Sequence, residues 1–92
     1  MNNNILEKLI LGRKGGNTSS KIIEKLYERP FNANQIAKKL EMHYNTIQYQ
    51  IKILEENNIV VKEDKKYGPL IFLTPEMKKN KKKFKEIMKK NI

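Results

Sequence analysis

The sequence predicts a mainly helical fold that carries one β-hairpin, and three stretches lead to this prediction. Residues 34–54 contain two short apolar stripes with helical spacing on either side of a brief polar break. Residues 59–62 and 70–73 are rich in β-branched and other apolar side chains, and the charged turn between them ends in Gly-Pro. Residues 74–76, Thr-Pro-Glu, supply the hydroxyl cap, the proline and the acid that are typical of a helix start.

Residues 34–54 have the pattern of a helix-turn-helix. Each half places its apolar residues on one helical face: Ile36, Ala37 and Leu40 in the first, and Ile47, Ile51 and Leu54 in the second. The break at 41–43 leaves room only for a tight corner. The two helices must therefore cross sharply and share a core. We expect this unit to occupy residues 32–57, with Asn32 or Asn34 as the cap of its first helix.

The outer face of the second helix suits nucleic acid. At about 100° per residue, the side away from Ile47 carries two amides, a phenol and a lysine: Asn45, Gln48, Tyr49 and Lys52. An ordinary solvated face more often alternates glutamate and lysine. Amides and a phenol can hydrogen-bond to base edges, and a lysine can bind a phosphate. A plain polar surface remains the alternative interpretation of this face.

Composition limits the classes of protein to consider. The 92 residues fit one domain, and 20 basic against 10 acidic residues give a net charge of +10, which favours a polyanionic partner. The absence of cysteine excludes disulfides and thiolate chemistry. No apolar run reaches the about 18 residues of a membrane span, and the N-terminus lacks the features of a signal peptide. We therefore expect a soluble, cytoplasmic protein without a membrane partner.

Two further helices are predicted before the helix-turn-helix. Residues 1–12 contain a helix with one apolar face, capped by Asn3 or Asn4 and ending at Gly12. The glycine-rich basic loop that follows is expected to bring Arg13 and Lys14 near a phosphate. The next helix runs from Thr18 to Glu28 and ends before Pro30, and its caps are expected among three hydroxyl residues: Thr18, Ser19 and Ser20.

A β-hairpin is predicted directly after the second helix of the helix-turn-helix. Asn58 is expected to end that helix in the left-handed conformation. The strands lie at 59–62 and 70–73, and the whole hairpin, or wing, spans 59–73. Its tip carries Lys65, Lys66 and Tyr67, which would lie along a nucleic-acid backbone or in a minor groove. The alternative is a surface hairpin whose lysines serve solubility.

The last predicted helix is basic and amphipathic. It runs from Pro75 toward Lys90, and residues 75–92 hold eight lysines and two glutamates, which is +6 of the total charge. Its apolar stripe, and that of the first helix, can cover the chain's own core or pair with a second subunit; a membrane surface is a further possibility. We expect a homodimer whose interface uses apolar residues of both helices: Ile5, Leu6, Leu9, Met77, Phe84, Ile87 and Met88.

Residues 40–60 resemble the ArsR-type winged helix-turn-helix without a gap. The run from Arg29 to Ala37, together with Tyr67-Gly68-Pro69, is more specifically similar to a group of small archaeal transcriptional regulators of that type. The resemblance covers residues 18–74. It implies a helix-turn-helix followed by a two-stranded wing, dimerisation through the first and last helices, and operator binding. Family members that sense metals use cysteine and histidine clusters, whereas this chain has no cysteine and a single histidine, His43.

These observations together predict sequence-specific binding of double-stranded DNA by a dimeric regulator, with half-sites about one helical turn apart. Base edges would be contacted by Asn45, Gln48 and Tyr49. The backbone would be contacted by His43, Tyr44, Thr46, Lys52, Lys65, Lys66 and Tyr67. The alternative is a winged-helix module that binds a protein or RNA in a transcription or ribosome-associated assembly. No catalytic set, cofactor site or metal site is predicted, and the sequence does not identify a small-molecule effector.

Overall fold

The computed structural model of the protein describes residues 3–66 and 68–90. Six helices and one two-stranded antiparallel sheet occur in these ranges. This order confirms the predicted mainly helical fold with a β-wing. In chain order the elements are α1 (Asn3–Leu11), α2 (Gly16–Glu28), α3 (Ala33–Leu40), α4 (Tyr44–Glu56), β1 (Val60–Lys65), β2 (Gly68–Leu73), α5 (Pro75–Lys79) and α6 (Lys81–Lys90).

Helix α2 begins two residues earlier than the predicted Thr18, and close packing against α1 accounts for this. A Cβ atom added to Gly16 would lie 1.9 Å from the carbonyl oxygen of Ile10, so only glycine allows the two helices to approach this closely. The N-cap is Gly15, which offers no side chain for capping. The prediction of a hydroxyl cap was wrong, because Ser19 and Ser20 are fully buried inside the helix.

The same hydrogen-bonded ending closes both helices of the helix-turn-helix. At the end of α3, Glu41 is left-handed with φ of 54°, and the amide of Met42 donates to the carbonyl of Ala37 at 2.9 Å. At the end of α4, Asn58 has φ of 60° and the amide of Ile59 donates to the carbonyl of Leu54 at 2.9 Å. These are Schellman motifs. They confirm the tight corner at 41–43 and the predicted role of Asn58.

The start of α3 is held by a capping box. The side chain of Asn32 accepts from the amide of Gln35 at 2.8 Å, and the Gln35 side chain accepts from the amide of Asn32 at 3.0 Å. Each interaction satisfies an amide that the helix itself cannot bond. This confirms Asn32 as one of the two predicted caps and fixes where the chain enters the helix-turn-helix.

The wing is longer than predicted. Pairing runs from Val60 opposite Leu73 to Lys65 opposite Gly68, so both strands extend into the stretch that was predicted to be a turn. The amide of Ile71 also donates to the carbonyl of Phe31 at 2.8 Å, which ties the wing to the segment between α2 and α3. Every β1 side chain after Val60 is exposed, so charged residues there do not oppose strand formation.

The predicted C-terminal helix is divided into α5 and α6. As predicted, Thr74 caps α5, accepting from the amide of Met77 at 3.2 Å, and proline follows it. The division occurs at Asn80, whose side chain donates to the carbonyl of Glu76 at 2.9 Å. Asparagine competes for backbone groups in this way and is a weak helix former. The sequence pattern did not reveal this break.

The predicted dimer interface lies largely inside the chain. Ile5 is 41% exposed and Met88 is half-buried, whereas the other five residues are at most 8% exposed: Leu6, Leu9, Met77, Phe84 and Ile87. They join a continuous core because α1 packs against α2 and α6, and an ion pair of 3.0 Å between Glu7 and Lys90 spans α1 and α6. In this conformation these five side chains have almost no surface left for a second copy.

Tyr27 links α2 to the C-terminal helices. Its hydroxyl donates to the carbonyl of Met77 at 2.6 Å, and its ring lies 5.6 Å from the ring of Phe84, centroid to centroid. Burial disfavours the charged phenolate and raises the pKa of Tyr27 from 10.0 to about 12. The neutral hydroxyl is therefore retained in the core well above neutral pH.

We expect the Tyr27 phenol to ionise late in an alkaline titration, well above its ordinary pKa of 10.0. The folded state holds this proton more tightly than the unfolded chain, so the stability contribution is complete below about pH 10 and is lost as pH rises toward 12. An alkaline titration followed by tyrosinate absorbance should contain a late step near pH 12 that is missing in Tyr27→Phe. A late step of the same size in that variant would contradict the assignment.

Candidate nucleic-acid interface

Helix α4 separates a buried face from an outer face. Ile47, Ile51 and Leu54 have no exposed surface, and they pack in the core shared by α2, α3 and the wing. Residues 45, 48, 49 and 52 follow the spacing i, i+3, i+4 and i+7, which places them together on the opposite side. The helix therefore presents one polar face to solvent along its length.

The three predicted base-contacting residues all reach this outer face. Asn45 is exposed, Tyr49 is 63% exposed and Gln48 is half-buried. The side-chain amide of Gln48 donates to the hydroxyl of Tyr44 at 2.5 Å. This bond occupies one donor of Gln48 and leaves its carbonyl oxygen to accept from another group. Gln48 is thus held at a fixed orientation, whereas Asn45 and Tyr49 project farther outward.

The residues predicted to contact a nucleic-acid backbone surround the start and middle of α4. His43 is the N-cap residue, and its side chain is exposed and makes no capping bond. Tyr44 is 42% exposed, and Thr46 and Lys52 are exposed as well. The first turn of α4 has no acidic residue, so no side chain of that turn offsets the partial positive charge of the helix N-terminus.

The wing is less basic than its lysines suggest. The nitrogen of Lys65 lies 3.2 Å from a carboxylate oxygen of Glu63 and 5.9 Å from the centre of the Phe72 ring. Lys66 is exposed at the end of β1. Residues 62–66 contain three lysines and two acids, so their net charge is only +1. The predicted contact Tyr67 lies outside the described residues.

A buried polar cluster beneath this surface was not predicted. Gln50 is only 6% exposed, and its carbonyl oxygen accepts from an Arg13 nitrogen at 2.8 Å and from the Ser19 hydroxyl at 3.0 Å. Arg13 also donates to the Ser19 hydroxyl. The signal was present in the sequence, because Gln50 falls on the same helical face as Ile47 and Ile51. A glutamine at a core position requires a polar partner.

Neither a metal-binding group nor a membrane-spanning helix is found in the described part of the chain. Within residues 3–66 and 68–90, no group of three or more His, Asp or Glu side chains could hold a metal ion. None of the helices in those ranges combines the length and hydrophobicity that a membrane-spanning segment requires. The outer face of α4 offers hydrogen-bonding side chains and the positive charge of Lys52.

No protein-family model and no curated protein matches the sequence. Several solved structures share the fold. A MarR transcriptional regulator from Methanosarcina mazei Go1 superposes with a TM-score of 0.76 at 20% identity, covering 96% of this chain and 66% of that chain. Reduced AbfR bound to DNA superposes with a TM-score of 0.75 at 20% identity, covering 96% and 67%. The chain has a winged helix-turn-helix fold.

A mutant of Lactococcus lactis ZitR extends the comparison. It superposes with a TM-score of 0.72 at 21% identity, covering 80% of this chain and 53% of that chain. This chain therefore spans about half the length of the ZitR chain that it matches. Identities of 20–21% do not assign the chain to one family of regulators. The likeness accordingly establishes the winged-helix fold, with α3 and α4 as the helix-turn-helix and β1 and β2 as the wing.

Tyr44→Phe should release Gln48 without weakening the fold. The hydroxyl removed is on the surface, so the free energy of unfolding should change by less than about 0.5 kcal/mol. The Gln48 side-chain amide should lose its bonded environment, which a change in its ¹⁵N-resolved NMR chemical shift and temperature coefficient would report. Asn45→Ala, on the same face, is the control. An unchanged Gln48 amide signal in Tyr44→Phe would mean that the bond is not formed in solution.

Proposed function

We propose that this protein is a transcriptional regulator that binds double-stranded DNA and places α4 in the major groove. The observation that carries this proposal is the outer face of α4, where two amides and a phenol project from a helix whose opposite face is fully buried. Such side chains can read the donor and acceptor pattern of base edges. A helix with one fixed buried side presents these groups in a constant orientation.

The charge of the chain supports a nucleic-acid partner. A net charge of +10 on 92 residues attracts a polyanion at long range. Solved structures with this fold include AbfR bound to DNA, which makes duplex DNA the first partner to test. The proposed regulator would act in the cytoplasm. We retain as a proposal the resemblance of residues 29–37, 40–60 and 67–69 to ArsR-type archaeal regulators, alongside the likeness of the fold to a MarR regulator.

The proposed roles divide the surface residues into two groups. Asn45, Gln48 and Tyr49 would contact base edges and determine sequence preference. The phosphates would be contacted by residues around α4 and at the wing tip: His43, Tyr44, Thr46, Lys52, Lys65, Lys66 and Tyr67. Because Lys65 is already paired with Glu63, we expect the wing to contribute less to affinity than Lys52.

We further propose that the protein acts as a homodimer, since one helix of this size reads only a short site. The interface would use the apolar surface that the core leaves uncovered on the terminal helices, namely Ile5, Leu11 and Met88. Leu6, Leu9 and Phe84 would support it from beneath rather than contact the partner. Sedimentation equilibrium would detect the dimer, and a monomer at all concentrations up to about 0.1 mM would contradict it.

The decisive experiment is selection of bound sequences from random duplex DNA, followed by affinity measurements at several salt concentrations. We expect an enriched motif. Asn45→Ala should reduce the discrimination between bases at one position of the site by about 1–3 kcal/mol. Lys52→Gln should weaken all duplexes alike and lower the salt slope by about one. Absence of any enriched motif would refute the proposed sequence-specific function.

A second candidate function follows from the exposed aromatic residues of α4. Tyr44 and Tyr49 are 42% and 63% exposed, and such groups are also enriched at protein interfaces and can stack on unpaired RNA bases. A winged-helix interaction module would retain a partner after nuclease treatment of a lysate, or would bind single-stranded RNA more tightly than duplex DNA. Tyr49→Ala would then abolish that binding.

A further inference from the structure

The buried cluster of Arg13, Ser19 and Gln50 joins the loop after α1 to the middle of α4. Ser19 is fully buried and Gln50 is 6% exposed, and the Arg13 guanidinium bridges them. The loop packs closely against these side chains and requires glycine at position 15. A Cβ atom there would lie 2.3 Å from the Gln50 side-chain nitrogen and 2.6 Å from an Arg13 nitrogen. The position of Arg13 is therefore fixed relative to α4.

The described hydrogen-bond partners of this guanidinium are both uncharged. Gln50 contributes an amide oxygen and Ser19 a hydroxyl, and the Arg13 Nε atom is buried with no hydrogen-bond partner. A positive charge that is partly withdrawn from water is costly unless an anion approaches it. A glutamate in place of Gln50 would supply that anion from within the protein. The neutral glutamine leaves the positive charge of Arg13 available to an anion from outside the protein.

A cavity of about 520 Å³ opens beside the cluster, between the loop and the outer face of α4. Its lining has two cationic side chains and three hydroxyl groups and, among the described residues, no acid: Arg13, Lys14, Thr18, Thr46 and Tyr49, with Gly15, Gln50 and Ile53. Cations and hydroxyl donors without a carboxylate match the chemistry of a phosphate group. Thr46 and Tyr49 also make this cavity continuous with the proposed base-reading face.

We propose that this cavity binds one phosphate of the DNA backbone at the edge of the groove that α4 reads, with Arg13 as the principal cation. Gln50 and Ser19 are positioning residues that hold the guanidinium in place without neutralising it. The inference rests on the proposed function, because it assigns a second contact region to the same duplex. It adds a contact from outside the helix-turn-helix and the wing.

The test uses Gln50→Glu in the 92-residue chain. Glutamate has nearly the same shape and can pair with Arg13, so the melting temperature should not fall. The Arg13 charge would then be compensated internally, and we expect affinity for the selected duplex to fall several-fold, with a salt slope lower by about one. Lys14→Gln, which changes an exposed cavity residue, should produce the same effect and does not depend on core packing.

Lys21→Gln is the matched control. It also lowers the net charge by one, but Lys21 is exposed and lies about 200° around α2 from Ser19, on the far side from α4. Its salt slope should remain close to that of the wild type. A set of duplexes, each with one uncharged methylphosphonate, should contain one position at which the wild type loses affinity and Gln50→Glu loses none.

The outcomes separate the two proposals. If wild-type protein binds the selected duplex but Gln50→Glu and Lys14→Gln behave like Lys21→Gln, the phosphate site is refuted and the proposed function stands. If every methylphosphonate position affects wild type and Gln50→Glu equally, the phosphate site is likewise refuted. If the wild type shows no preference for any duplex, the proposed function fails, and this inference fails with it.

Discussion

The burial of one side of α4 is the constraint on which the rest of the structure depends. Ile47, Ile51 and Leu54 are completely covered, and a rotation of the helix by a single residue position would move them about 100° toward water. Burying such side chains stabilises the fold by about 1.5–3 kcal/mol each. The orientation of the outer face is therefore determined by hydrophobic energy rather than by the polar residues that it displays.

Patterns local to the chain predicted the fold well. The helical spacing at 36–54 gave α3 and α4, and Asn32, Asn58 and Thr74 were identified as end signals because capping depends on residues only a few positions apart. Contacts between one element and another were the part that the sequence pattern did not predict. The early start of α2 depends on Gly16 meeting Ile10, and periodicity cannot show which of two apolar faces will be covered by the same chain.

The candidate site was likewise predicted only in part. The outward positions of Asn45, Gln48 and Tyr49 followed from helical geometry, since Ile47 fixed the inward direction. The Arg13 cluster was missed because it brings together residues separated by 37 positions, Arg13 and Gln50. The charge distribution was also only partly visible, since the pairing of Lys65 with Glu63 reduces the positive charge that the hairpin sequence suggested.

The contact between Gly16 and the end of α1 has a mechanical consequence. The backbones of Ile10 and Gly16 meet with no side chain between them. A rotamer change therefore cannot separate the two helices at this point, and we expect α1 and α2 to move together as one body. The hydrogen bond from Arg13 to Gln50 also connects this pair of helices to α4. A displacement of the N-terminal helix α1 would therefore also displace α4, the helix that carries the outer face.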